Sequence, residues 1–538
     1  MFLALAMVIT MCLPGMAMAA DDGKKTGTIT VNNLDAGAEV KIYKIVKANY
    51  NKDNKVTGFE AVTEEIKSLF TVDGKVDFNK APDATKASAL AAAAEKLEAE
   101  KGVPAAQGET LTVMGREPGL YYVKVTSANA VVYNPIIVGV NINDNNEIRN
   151  SEINLDGAKW APEAFAKKSE PKVVKEITTN AVEGKNKVSD TETKHEGEKT
   201  EDAQTIGFKI SADVPSYATN YLNVELVLKD TLSEGLKLDQ KSIAVKCGKD
   251  DVKATVDEKT DNGFKVTINN IDWIRKHANQ KVVVTYNAVL KSDAPKNFDA
   301  STNTVTYEFT NDPSDKANHG ETTDKTYHYT FSLDGAINGA GSWITKELIK
   351  TGEEKITGEG ITENEPLKGA KFSLTNTKTG YKQEIETDEN GLMNFTGLDG
   401  NTEYELVETK APQGYFTDKT VRTIKVVPTY DEQGRLTKYH VEITKDGEET
   451  TKSPEYTASY DEKDEITEIK VNDTDVLKVD NEGTVDETIL NEGDAHEIKN
   501  SKQAELPTTG GMGTYVFTIL GVAVIAIAGG LYMKKKNN

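Results

Sequence analysis

The sequence predicts an all-β protein of tandem immunoglobulin-like β-sandwich domains, with one helical insertion in the first domain and a C-terminal transmembrane helix. Most of the chain consists of short segments in which apolar and polar residues alternate, as they do in half-buried strands. One alanine-rich segment interrupts this pattern, and one long apolar run lies near the C-terminus. Between the two ends of the chain about 490 residues remain, which is enough for three domains of ordinary size.

Residues 1–20 have the features of a signal peptide. An apolar core runs from Phe2 to Leu13, and small residues precede the charged pair Asp21-Asp22. We therefore expect export, with cleavage after Ala19 or Ala20. Because no Lys or Arg precedes Lys24, the position of the true start codon stays open.

Composition excludes several classes of function. Asp and Glu number 86 against 64 Lys and Arg, an acidic balance that argues against a nucleic-acid partner. Cys12 leaves with the signal peptide and Cys247 stays alone, so the mature chain has no intrachain disulfide. The six histidines are scattered, and neither a G-x-S-x-G motif nor a P-loop occurs. The sequence therefore predicts no metal site, no cofactor and no enzyme that turns over substrate.

The first domain, residues 21–168, is expected to be a β-sandwich that carries the helical insertion. An alanine-rich helix is predicted between Asp83 and Gly102, with Asp83 as its N-cap. Four segments alternate as strands do: Thr28 to Val31, Ala38 to Ile45, Gly119 to Val125, and Val131 to Val140.

In the second domain, residues 169–332, three polar side chains stand where the alternation demands apolar ones. Lys175 shares a face with Val173 and Ile177; Asp230 and Asn303 interrupt the apolar faces of two other predicted strands. A buried Lys, Asp or Asn without partners costs several kcal/mol each. We therefore expect these three side chains to meet in the core.

The third domain, residues 333–505, repeats this pattern. Glu408 alternates with Tyr404 and Leu406, so it points into the core, and Asn500 shares a face with Ile498. We expect the amine of Lys350 to meet these two side chains in the core. Lys346 is the alternative, because the register of that strand is ambiguous.

The C-terminal 33 residues, 506–538, combine a pentapeptide, an apolar run and a basic tail. Leu506-Pro507-Thr508-Thr509-Gly510 precedes the run from Tyr515 to Met533, and Lys534 to Lys536 follow it. At 1.5 Å per residue, a helix over these 19 residues crosses most of the ~30 Å hydrocarbon layer. The lysines stay on the cytoplasmic side, so the chain before Leu506 is expected outside.

This arrangement resembles the cell-wall sorting signal of Gram-positive surface proteins. The resemblance implies that a sortase cuts between Thr509 and Gly510, forms an acyl-enzyme with Thr509 and passes it to an amine. Pro507 keeps Leu506 extended, which suits binding in an enzyme groove. An ordinary membrane anchor is the alternative.

The stretch from Trp160 to Lys168 resembles a degenerate pilin motif of sortase-assembled pili, in which a Lys after an aromatic residue and Pro is the polymerisation nucleophile. Ala166 stands where that motif has Pro, and the spacing is altered. Carried over by position, the motif implies Lys167 as the nucleophile, with Lys168 as the alternative. The other interpretation is two solvated lysines in a linker before Pro171.

The remaining segments resemble two domains of the same family. Lys175 to Ile177, Asp230 to Leu236 and Asn303 to Tyr307 are similar to the middle domain of Gram-positive backbone pilins, which implies a Lys175–Asn303 isopeptide bond assisted by Asp230. A buried polar triad without a covalent bond is the alternative. Three further stretches look like the collagen-adhesin B-type fold with its E-box, which implies a Lys350–Asn500 bond assisted by Glu408: Pro366 to Leu374, Thr387 to Gly391, and Tyr404 to Tyr415.

The resemblance as a whole implies the backbone, or major, subunit of a pilus on the cell wall of a Gram-positive bacterium. Its implied partners are a pilus-class sortase, a housekeeping sortase, identical pilin subunits, minor or tip pilins, and peptidoglycan. A wall-anchored adhesin that is never polymerised is the second hypothesis. A surface hydrolase is the third, and the missing catalytic motifs argue against it.

Overall fold

The structure is a computed structural model of the chain. It describes residues 23–80, 82, 84–127, 130–143, 145–149, 153–154, 160–193, 205–312, 315, 317, 319–337, 343–353, 364–446, 448–472, 475–477, 488–489, 495–502 and 520. The predicted signal peptide and the pentapeptide Leu506 to Gly510 lie outside these residues. Two compact units are formed; the first is Met1–Pro295, Ala300–Tyr329 and Glu432–Arg435, and the second is Lys296–Asp299, Thr330–Asp431 and Leu436–Asn538.

The N-terminal part of the first unit is a sandwich with two helices. One sheet has the strand order β11-β12-β1-β6 and the other has the order β10-β9-β7-β2-β3. Alternate residues such as Ile29, Val31 and Val123 fill the core between them. The elements are β1 Gly27–Asn32, β2 Glu39–Tyr50, β3 Val56–Ala61, α1 Glu64–Leu69, β4 Thr71–Val72, β5 Lys75–Val76, α2 Ala84–Ala94, β6 Thr110–Arg116, β7 Gly119–Thr126, β8 Val132–Tyr133, β9 Ile136–Ile142, β10 Ile148–Arg149, β11 Ile153–Asn154, β12 Glu163–Phe165 and β13 Lys168–Ser169.

The helical insertion differs from the prediction in number and length. It contains two helices, and α2 ends at Ala94 rather than near Gly102. The chain leaves the helix because Glu100 is held by the sheet: its N–H donates to the Ile42 carbonyl at 2.7 Å, and its carboxylate accepts from Arg116 at 2.8 Å. Both helices pack on the outer face of the second sheet, where apolar residues form a second core.

The rest of the first unit is a second sandwich. Its sheets have the orders β14-β16-β22-β18-β19 and β15-β24-β23-β17-β21-β20. β14 is therefore an edge strand, whereas β23 and β17 are central neighbours. The elements are β14 Val173–Thr179, β15 Val188–Ser189, β16 Thr205–Asp213, β17 Leu226–Leu232, β18 Leu236–Cys247, β19 Asp250–Asp251, β20 Thr255–Thr260, β21 Gly263–Ile268, α3 Ile271–Lys276, β22 Lys281–Leu290, β23 Ser301–Thr310 and β24 His319–His328.

The second unit is built on a nine-stranded sheet. Eight strands follow the order β29-β28-β31-β32-β33-β35-β36-β37, and β34 also pairs with β33. Beside it, β27 and β39 form a parallel pair. The elements are β25 Phe331–Leu333, β26 Trp343–Ile344, β27 Leu348–Gly352, β28 Lys371–Asn376, β29 Lys382–Glu386, β30 Phe395–Leu398, β31 Glu403–Lys410, β32 Arg422–Tyr430, β33 Leu436–Lys445, β34 Thr451–Lys452, β35 Tyr456–Tyr460, β36 Ile466–Val471, β37 Asp475–Leu477, β38 Thr488–Ile489 and β39 His496–Asn500.

The all-β class is thus confirmed, and the helices α1, α2 and α3 all lie in the first unit. Within the described residues, no helix has the length and apolar character needed to cross a bilayer. The predicted span from Tyr515 to Met533 lies outside those residues, apart from Leu520.

Candidate cross-linking sites and polymerisation lysine

The three polar residues singled out in the second domain meet in the core of the second sandwich. Lys175, Asp230 and Asn303 expose 0%, 3% and 0% of their surface. The Lys175 Nζ donates to the side-chain oxygen of Asn303 at 2.7 Å and also to the Asp230 carboxylate. An amine, an acid and a primary amide are therefore in direct contact away from water.

The strand arrangement explains this meeting. Asp230 lies opposite Val305, and Leu232 lies opposite Asn303, in the antiparallel pair of β17 and β23. Asp230 and Asn303 are thus diagonal neighbours on the inward face of one sheet. Lys175 reaches them from β14 in the other sheet.

Tyr286 on β22 is a member of this site that the sequence analysis missed. Its hydroxyl accepts from Lys175 Nζ at 2.6 Å and from the Asn303 side-chain nitrogen at 2.9 Å. The ring stacks on Phe208 with centroids 5.0 Å apart. A signal was present, because Tyr286 follows Val282 and Val284 at inward positions of an alternating strand, and a buried Tyr usually needs a polar partner.

Burial sets the electrostatics of the site. It lowers the pKa of Lys175 to about 8 and raises the pKa of Asp230, because both charged forms lose their hydration. His328 lies nearby, with its ring 5.2 Å from that of Phe208, and burial lowers its pKa to about 3. It is therefore neutral at physiological pH and adds no charge to the site.

The second unit contains a similar triad. Lys350, Glu408 and Asn500 expose 0%, 3% and 1% of their surface. Lys350 Nζ donates to the Asn500 side-chain oxygen, and the Asn500 nitrogen donates to Glu408 Oε1 at 2.8 Å. The same carboxylate oxygen lies 3.4 Å from Lys350 Nζ. One oxygen of Glu408 thus faces both nitrogens.

The register of β27 decides which lysine takes part. Gly352 pairs with Asn500 and Lys350 with Ile498 in the parallel ladder. Lys350 is the lysine whose Nζ contacts Asn500, whereas Lys346 precedes the strand. Gly391 allows this packing: its carbonyl accepts the Lys350 N–H at 2.8 Å, and a Cβ there would lie 2.5 Å from the Lys350 oxygen.

The charge balance of this triad also follows from burial. Burial lowers the pKa of Lys350, which favours the neutral amine. Glu408 is held from the other side, because the Asp418 N–H donates to its Oε2 at 2.5 Å. The carboxylate is therefore fixed against both nitrogens.

The two candidate polymerisation lysines have different surroundings. Lys167 is exposed, and within the described residues no ion pair of its side chain is found. Its main chain is fixed on both sides: Asn33 binds the Ala166 carbonyl at 2.7 Å, and the Asn134 N–H binds the Lys167 carbonyl at 2.9 Å. A fixed backbone thus presents an exposed side chain.

Lys168, in contrast, is committed to acidic partners. Its Nζ lies 2.7 Å from Asp35 Oδ1 and 3.0 Å from Glu170. The hydrogen bond with Asp35 raises the pKa of Lys168, which keeps the amine charged. Only a neutral amine attacks a thioester, so this environment disfavours Lys168 as a nucleophile.

Two segments of the chain match known protein families, and one relative is similar along nearly the whole chain. Residues 352–445 match the family described as SpaA, prealbumin-like fold domain, and residues 498–538 match the LPXTG cell wall anchor motif. The chain is 22% identical to the trypsin-resistant surface T6 protein of Streptococcus pyogenes serotype M6 over 575 aligned positions, covering 97% of this chain and 96% of the relative.

One solved structure has a similar fold. The T6 backbone pilin of serotype M6 Streptococcus pyogenes superposes with a TM-score of 0.58 at 17% identity, covering 89% of this chain and 98% of that one. The major pilin SpaD of Corynebacterium diphtheriae covers the same shares at 17% identity with a TM-score of 0.43. The chain thus carries a SpaA-type domain and an LPXTG wall-anchor motif, and it is similar along nearly its whole length to a backbone pilin of Gram-positive pili.

Proposed function

We propose that this chain is the backbone subunit of a covalently polymerised surface pilus that supports adhesion, cross-linked internally by two isopeptide bonds. The observation that carries the proposal is the pair of buried triads in which a lysine amine touches an asparagine amide beside an acid. Successive subunits are joined from Thr509 of one copy to Lys167 of the next.

In the second sandwich, the neutral Lys175 amine attacks the side-chain carbonyl carbon of Asn303. Protonated Asp230 stabilises the developing charge and supplies the proton that the leaving nitrogen needs, and it takes back the proton that the attacking amine loses. The Tyr286 hydroxyl fixes that nitrogen at 2.9 Å. One C–N bond forms, one breaks, and ammonia leaves, so the reaction is a single maturation event for each chain.

In the second unit, a single oxygen of Glu408 carries out both proton transfers. Because Oε1 lies 3.4 Å from the attacking amine and 2.8 Å from the leaving nitrogen, it can take a proton from the first and return it to the second. The product is a Lys350–Asn500 bond with loss of ammonia.

These bonds suit a chain under tension. Asn500 precedes Thr509 by nine residues, so force from a neighbouring subunit passes through only a short stretch of chain before it reaches the Lys350–Asn500 bond. The load then passes through a covalent bond instead of the hydrogen bonds of the sheet.

The C-terminal segment serves the step before assembly. The apolar run from Tyr515 to Met533 holds the exported chain at the membrane, and the lysines after it prevent full translocation. A pilus-class sortase then cuts after Thr509 and builds the fibre, and a housekeeping sortase attaches the finished fibre to peptidoglycan.

The mass of the mature chain tests both cross-links together. Each bond removes one ammonia, about 17 Da, so we expect a mass about 34 Da below that of the sequence. Intact-mass spectrometry of the folded exported chain measures this difference, and tryptic mapping should yield two branched peptides, Lys175 with Asn303 and Lys350 with Asn500. A mass equal to that of the sequence contradicts both bonds.

Formation of the Lys175–Asn303 bond should depend on pH. The Lys175–Asp230 pair must retain one proton, which Asp230 uses as the acid while the amine is neutral. Because the pKa of Lys175 is about 8, the pair loses this proton above that value, and the rate should fall as pH rises further. The measurement is a time course of mass loss in freshly synthesised chain at a series of pH values. A rate that keeps rising above this pKa contradicts the role of Asp230.

A further inference from the structure

The main chain of Lys175 has an unusual pair of partners. β14 is an edge strand, paired with β16 on one side only. The Lys175 N–H donates to Asp324 Oδ2 at 2.6 Å, and its carbonyl accepts from Lys187 Nζ at 2.7 Å. Lys187 and Asp324 are themselves ion-paired at 2.5 Å. Two side chains thus replace the missing neighbouring strand at this one residue.

Both partners are anchored next to the strand of Asn303. Asp324 lies on β24, which pairs directly with β23, and Asn303 lies opposite Thr326 in that ladder. The Lys187 carbonyl accepts the Tyr327 N–H of the same β24 strand at 2.9 Å. Lys187 and Asp324 therefore fix the distance between the backbone of Lys175 and that of Asn303.

We propose that Lys187 and Asp324 act as positioning residues: they clamp the main chain of Lys175 so that its amine is held against Asn303 when the cross-link forms. This inference rests on the Lys175–Asn303 bond proposed above. A misplacement of about 1 Å between reacting groups can cost on the order of 100-fold in rate, which is the effect that a backbone clamp prevents.

The charges of the clamp act on the amine in opposite directions. Asp324 raises the pKa of Lys175 and Lys187 lowers it, so their effects on this pKa oppose each other. The groups that face the amine from the other strands are Asp230 on β17, Tyr286 on β22, Asn303 on β23 and the neutral His328 on β24. The clamp thus fixes geometry, and removal of one partner shifts the pKa in a known direction.

The same strand offers a matched control. Glu176, the next residue on β14, forms an ion pair with Lys209 at 2.8 Å, and both side chains are partly exposed, as those of Lys187 and Asp324 are. This pair does not bond to the Lys175 main chain. Its removal tests the effect of losing an ion pair from β14 without losing the clamp.

The experiment follows cross-link formation in full-length chain made by cell-free synthesis. The variants are Asp324→Asn, Lys187→Met, the double variant, and the controls Glu176→Gln and Lys209→Met. Samples taken over time at several pH values are analysed by intact mass and tryptic mapping, and circular dichroism verifies folding. We expect bond formation roughly 10-fold slower or worse in the clamp variants. The controls should react at the wild-type rate.

The pH profile separates positioning from a general loss of stability. The pH above which the rate of bond formation decreases should be lower in Asp324→Asn and higher in Lys187→Met. In the double variant the reaction should be slow, and its rate should decrease above nearly the same pH as in wild type. Clamp variants that react within twofold of wild type, or controls that are slowed equally, overturn the proposal. If the wild-type chain never forms the bond, the proposed Lys175–Asn303 cross-link is wrong, and so is the positioning role of Lys187 and Asp324.

Discussion

Replacing Lys167 with arginine should abolish the pilus. Arginine keeps the charge and length of the side chain, but its guanidinium stays protonated and cannot attack the Thr509 thioester. Because Lys167 is exposed and its main-chain bonds do not involve the side chain, the fold should be unaffected. Wall extracts boiled in detergent should change from a ladder of high-mass bands to a single band.

Lys168→Arg is the matched control. Arginine can retain the ion pairs with Asp35 and Glu170, so the ladder should persist. Tryptic digests of wild-type fibres should contain a branched peptide that joins Thr509 to Lys167. A ladder that survives Lys167→Arg and disappears with Lys168→Arg assigns the nucleophile to Lys168 instead. A single band from the wild-type strain favours the non-polymerised adhesin.

The second large effect is expected from Asp230→Asn. Without the acid the Lys175–Asn303 bond should not form, so the chain should keep the ammonia that wild type loses. Because the substitution itself removes about 1 Da, the variant should be about 16 Da heavier than wild type. Lys175 and Asn303 are 128 residues apart, and a cross-link over such a loop is worth roughly 5 kcal/mol if the model for disulfides applies. For a domain of this size the melting temperature should fall by roughly 10–20 °C.

Glu408→Gln provides the comparison for that experiment. It should remove only the Lys350–Asn500 bond, so each single variant regains one ammonia mass and the double variant regains two. In calorimetry, each single variant should lower the melting temperature only of the domain that has lost its bond. If Asp230→Asn retains the full mass loss, the acid has no part in the reaction, and the buried triad forms its bond by another route.

Much of the candidate chemistry could be predicted from single residues. Lys175, Asp230 and Asn303 stood out because a strand alternates with period two, so a polar residue on an apolar face is visible in the sequence. The same argument identified Glu408 and Asn500. The structure brings both sets together as expected, and whether the bonds form stays a prediction.

Other features could not be predicted because they depend on which distant strands become neighbours. Tyr286 joins the triad only because β22 lies across the core from β23. The helix after Asp83 was predicted too long because propensity favours its continuation, whereas Glu100 is bound by Ile42 and Arg116 in the sheet. Tertiary contacts of this kind outweigh local preference.

The sequence by itself determined the strand-rich class, the wall-anchor motif and the side chains proposed to react, because these depend on short motifs and on the local alternation of strands. Only the tertiary structure decided that Lys350 rather than Lys346 contacts Asn500, that Lys168 is ion-paired while Lys167 is exposed, and that Asp324 and Lys187 hold the main chain of Lys175. Most of these choices depend on register and pairing between segments more than a hundred residues apart, and no local pattern encodes them.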